Sequence, residues 1–63
     1  MLSDWELWAC AGTVLREHGD NAAFFVAERI GALALAEDKE GIATWRSIAG
    51  RIDQLRASPK TPS

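Results

Sequence analysis

Three observations predict an all-α chain folded as an antiparallel up-down-up bundle of three helices. Prolines occur only at Pro59 and Pro62, so nothing breaks a helix before the C-terminal tail. β-branched residues are sparse and no stretch alternates apolar and polar residues, whereas alanine and leucine dominate the apolar set. Capping residues and glycines then divide the chain into three segments joined by very short links, and short links make neighbouring helices antiparallel. The predicted helices cover about 4–18, 21–36 and 39–57 of a single domain spanning 1–57, with 58–63 as a disordered tail.

The first helix has a clear start. Ser3 is the N-cap, Glu6 completes a capping box with it, and Asp4 sits well in the first turn. The helix runs to His18, after which Gly19 supplies a left-handed C′ position. Asp20 or Asn21 caps the second helix, which reaches about Ala36. Asp38 caps the third, which continues to about Ala57. The tail from Ser58 to Ser63 has no apolar residue with which to dock.

At about 100° per residue the third helix gathers Ile42, Trp45, Ile48, Ala49, Ile52 and Leu55 on one stripe. The first gathers Leu7, Trp8, Ala11, Val14, Leu15 and His18. The second is apolar nearly all round. Ala23, Val26, Ala27, Ile30, Leu33 and Ala34 form its main face, Phe24, Gly31 and Leu35 a second, and Phe25 a third. A helix of this kind is normally surrounded, and two partner helices cover only part of it. Gly31 is the weak point of that helix. Antiparallel pairing sets it level with Trp8 and near Thr44 and Trp45, so an indole should lie against its backbone and Gly31→Leu should cost about 1–3 kcal/mol through overpacking.

Sixty-three residues bury little surface, and one cysteine excludes an intrachain disulfide. Helix packing and oligomerisation are the remaining sources of stability for so short a chain. An apolar fraction of 48% with 25% charged residues argues against disorder. The net charge of −2 lacks the footprint of a nucleic-acid binder. The N-terminus has no signal-peptide pattern, and the apolar stretch Ala22 to Ala36 is short for a membrane span and carries Glu28 and Arg29. A cytoplasmic protein that makes no membrane contact is expected.

No catalytic constellation emerges, and no pocket is expected in so thin a core. His18 suits the negative end of a helix dipole better than an acid–base role with Glu17 or Asp20. Cys10, between Ala9 and Ala11, suits a small half-buried hydrophobe rather than a reactive thiol. Thr44 and Ser47 have no activating base and read as solvent-facing. Neither a cofactor nor a metal site is expected. Basic residues concentrate in the last third, where Arg46, Arg51, Arg56 and Lys60 could contact phosphates, yet they are spread around the helix. Glu28 and Arg29 point about 100° apart and cannot pair. Arg46 or Arg51 is a partner for Glu28, and Asp20, or Glu28 of a second copy, one for Arg29.

Glu6-Leu7-Trp8-Ala9-Cys10-Ala11, His18-Gly19-Asp20 and Ala27-Glu28-Arg29-Ile30-Gly31, followed by Trp45, Ile48-Ala49 and Arg51, carry a resemblance. The chain resembles a family of short uncharacterised proteins from alphaproteobacteria, a domain of unknown function. That family often has a glycine before the acidic residue of the second turn, where Glu37 stands here. The resemblance implies a bacterial cytoplasmic setting and no particular reaction.

The expected function is a small non-catalytic helical module for protein–protein interaction, as a homodimer or with an unidentified protein partner. A nucleic-acid-associated accessory protein using the third helix is the alternative. Trp5, Phe24, Phe25 and Leu35 are the candidate contact residues, because each lies off the main stripe of its helix.

Overall fold

The structure is a computed structural model that describes residues 2–57, so the predicted tail at 58–63 lies outside the described residues. It is all-α, with helices α1 (Asp4–His18), α2 (Ala22–Leu35) and α3 (Lys39–Ala57) within a residue of their predicted limits. The Ser3 hydroxyl accepts from the Glu6 N–H at 3.2 Å, and the Ser3 N–H donates to Glu6 Oε1 at 2.9 Å. The capping box forms as predicted.

The link from α1 to α2 differs from the expected loop. Gly19 has the positive φ its residue type favours, at 52°, and its N–H donates to the Leu15 carbonyl. Its ψ of −124° takes it out of the left-handed helical well and into a single 3-10 turn, Gly19–Asn21. The Ala22 N–H bonds the Gly19 carbonyl, and Asn21 stands at the cap position without a side-chain bond. With φ −92° and ψ 6°, Asn21 lacks the extended backbone from which a capping side chain reaches forward. Residues 4–35 therefore follow one bent helical path.

The second turn reverses the chain. The Asp38 N–H donates to the Leu33 carbonyl at 2.9 Å and the Glu37 N–H to the Ala34 carbonyl at 3.0 Å. This is a Schellman motif, and its C′ residue must take positive φ. Glu37 does so, at 58°, in a conformation that favours glycine. The predicted cap also forms, the Gly41 N–H donating to Asp38 Oδ1 at 2.9 Å.

Beyond this turn α3 runs antiparallel to α2 and packs on α1 as well, while α1 and α2 touch each other least. Ile48 and Ile52 of α3 fill the crook of the bend, closing on Ala11 and Val14 of α1 and on Ala22 and Val26 of α2. The packing of α2 corrects its predicted face. Ala22 and Phe25 turn inward, while Ala23, Ala27 and Ala34 are exposed. Hydrophobic burial scales with area, so the helix rolls to cover one phenylalanine at the expense of three alanines.

That roll also removes the expected indole contact at Gly31. Gly31 is exposed and a Cβ there would meet nothing within 4 Å, so overpacking by Gly31→Leu is not expected. The close approach is at Gly41 instead. There a Cβ would lie 2.8 Å from Asp38 Oδ2 and 3.0 Å from Leu33 Cδ2.

Candidate interaction surface

Of the four candidate contact residues, Phe25 belongs to the interior. It is half-buried, its ring stacks on His18 with centroids 4.0 Å apart, and its edge meets Trp45 at 5.9 Å. His18 thus spans the bend as part of an aromatic row, and the N–H of Gly19 serves the helix end.

The tryptophans divide in the same way. Arg29 of α2 lies over the Trp45 ring at 5.6 Å, and Arg51 of α3 lies over the Trp8 ring at 5.0 Å. Each indole is covered by a cation from another helix, an arrangement worth about 0.5–2 kcal/mol. Arg51 also pairs with Asp4, so the partners proposed from sequence for Arg29 and for Arg51 are replaced by an indole and by Asp4. Glu28 is exposed and makes no ion pair among the described residues. Cys10 is a free thiol, half-buried as expected.

Trp5, by contrast, is 75% exposed, Phe24 66% and Leu35 90%. Phe24 and Leu35 are eleven residues apart, which is three helical turns, and so share one face of α2. Glu28 and Gly31 lie between them on that face and Ala27 beside it, and all three are exposed. The outer face of α2 is apolar and large at its two ends, with small residues and the one charged side chain of Glu28 in its middle. Sequence reasoning identified the ends but assigned Ala23 and Ala27 to the core. The relative sizes of Phe25 and the alanines were the available signal.

An open groove of about 280 Å³ adjoins the strip along the seam of α2 and α3. Ala23, Ala27, Ile30 and Ala49 line it, and Asp53 and Arg56 form its charged rim. A larger groove of about 410 Å³, not foreseen from the sequence, lies where the start of α1 meets the first half of α3. Leu2, Leu7, Thr44 and Ser47 line it, so Thr44 is half-buried there, and of its two carboxylates, Asp38 and Glu40, the first is engaged in capping.

The family model for a family of unknown function, DUF6961, matches residues 3–60. The chain belongs to that family. For DUF6961 the match spans all three helices and both turns of this chain, so the bend, the Schellman turn and the outer strip of α2 all lie within the matched region. Neither the curated proteins nor the solved structures hold a match to the chain. Among the described residues, no helix is long and apolar enough to cross a membrane.

Proposed function

We propose that this chain is a non-catalytic helical module that binds protein through the outer face of α2. One observation carries the reading: Phe24 and Leu35 stay exposed at the two ends of one face of α2, with Gly31 and the single charge of Glu28 between them, while the same helix buries Val26. Large apolar side chains left exposed on one face of a helix mark an interaction site. The core supports this from the other side. Among the described residues the buried core is Ala11, Val14, Ala22, Val26, Ile48 and Ile52, a thin core for a domain of this length. Covering the strip would supplement it. Nucleic acid is the weaker partner, because Arg51 is committed to Asp4 and Trp8 and is not available to phosphate. The setting we infer is the bacterial cytoplasm.

A photo-cross-linking side chain placed at Ala27 tests the reading in the native host. Irradiation should trap a protein, whether this chain or another, and the additional change Phe24→Gln with Leu35→Gln should abolish the adduct while circular dichroism stays that of the parent. No adduct from Ala27, or one indifferent to Phe24 and Leu35, overturns the reading.

A further inference from the structure

We propose that the exposed seam between the start of α1 and the end of α3 is a docking site for a proline-containing segment, and that its occupant is this chain's own residues 58–63. The site is separate from the outer face of α2, and neither reading rests on the other.

The surface is built from both helices. Apart from Phe24 and Leu35, the large hydrophobics left exposed among the described residues are Trp5, Trp8 and Leu55. These three belong to one region. Arg51 lies over the Trp8 ring at 5.0 Å and pairs with Asp4, which sets the first two turns of α1 against the last two turns of α3. Leu55 follows Arg51 by one helical turn on the same side of α3. Trp5 precedes Trp8 by three residues, so the two indoles are neighbours on one side of α1.

Chain length selects the occupant. Ala57 ends α3 about 9 Å of helical rise beyond Arg51. An extended chain advances about 3.3 Å per residue, so from Ala57 Pro59 can reach about 7 Å and Pro62 about 17 Å. The first distance extends to Leu55 and the edge of Trp8. With helix axes packed about 8–10 Å apart, the start of α1 lies about 13 Å from Ala57, within reach of Pro62.

Chemistry selects it too. Residues 58–63 hold no aliphatic or aromatic side chain, but their two proline rings are apolar. Pro59-Lys60-Thr61-Pro62 has the P-x-x-P spacing that aromatic-lined grooves recognise. A polyproline II helix has three residues per turn, so prolines three apart present one side, as do tryptophans three apart on an α-helix. Lys60 is the cation of this segment, and Asp4, exposed although it pairs with Arg51, is a carboxylate one turn before Trp8. Complementary charge of this kind orients a segment more than it adds affinity. The family match runs to residue 60 and so takes in Pro59 and Lys60 together with both tryptophans.

Proton NMR of the full chain tests the proposal. Ring protons of Pro59 and Pro62 should show nuclear Overhauser contacts to the indoles of Trp8 and Trp5 and move upfield in their ring currents. Trp5→Gln should remove the contacts of Pro62 and leave the helical signal unchanged, because Trp5 is exposed. Pro59→Ser with Pro62→Ser should shift the indole emission to the red and raise its quenching by acrylamide. Absence of any contact between a proline ring and these indoles overturns the proposal, as does an emission that ignores the double proline change. Contacts that vanish on dilution belong to residues 58–63 of a second copy and overturn it equally.

Discussion

Asp38 Oδ1 accepts the Gly41 N–H at 2.9 Å, while Asp38 Oδ2 stands 2.8 Å from the place a Cβ on Gly41 would occupy. The carboxylate that caps α3 therefore fills the space that any larger residue at position 41 would need. Cap and glycine form one unit, and their substitutions should not be additive. Asp38→Ala alone should cost about 1 kcal/mol through loss of the cap. Gly41→Ala added to it should cost less than Gly41→Ala in the parent, because the carboxylate no longer resists the methyl group. Urea unfolding of the four proteins of this cycle gives the coupling directly, and strict additivity would show that the two residues act separately.

Glu37 carries the backbone strain of the second turn. Its φ of 58° comes with the Schellman hydrogen bonds, and a Cβ there is unfavourable. Glu37→Gly should stabilise the domain by about 1 kcal/mol, raising Tm by roughly 4–8 °C for a domain of this size. Glu37→Ala, which keeps the Cβ, should give no such gain. Thermal melts of the two variants side by side decide the point.

Adjacent phenylalanines should respond oppositely to truncation. Phe25→Ala removes the ring between His18 and Trp45 and should cost about 2–4 kcal/mol, enough to unfold much of so small a domain. Phe24→Ala, on a ring that is 66% exposed, should fall within about 0.5 kcal/mol of the parent in dilute solution. Equal losses at the two positions would mean that α2 is rolled differently about its axis.

The glycines at positions 31 and 19 provide a second contrast. Gly31→Ala gains helix propensity in open space and should stabilise α2 by about 0.5–1 kcal/mol. Gly19→Ala also meets no neighbour within 4 Å, but the φ of 52° there makes it destabilising by about 1 kcal/mol or more. Denaturant midpoints of the two variants should therefore move in opposite directions.

Much of the fold was legible from local chemistry. Ser3 with Glu6 and Asp38 before α3 bond to backbone within a single turn, so their roles can be read from a few consecutive residues. The placement of Gly19 was legible too, but its ψ was not, because the residue type permits positive φ without fixing the ψ that accompanies it. The candidate surface was half legible. Phe24 and Leu35 stood out, but the outward position of Ala23 and Ala27 depends on which phenylalanine α2 buries. That choice is made by Trp45 and His18, which lie twenty residues onward and seven residues back from Phe25. Periodicity within one helix gives the width of an apolar face; neighbours from elsewhere in the chain decide how it is turned.

Arg51 reaches across 47 residues to pair with Asp4, whereas α2 and α3 are joined by only three residues. The entropy lost on closing a loop grows with the logarithm of its length, so the hairpin of α2 and α3 closes at less cost than the return of α1. Assembly should therefore be ordered, the hairpin forming first and α1 docking last as Arg51 settles over Trp8. Opening should run in reverse, with α1 separating at the Gly19 turn while Val26 and Ile52 stay together. Backbone amides in α1 should therefore exchange with solvent deuterium ahead of those in the middle of α2 and α3.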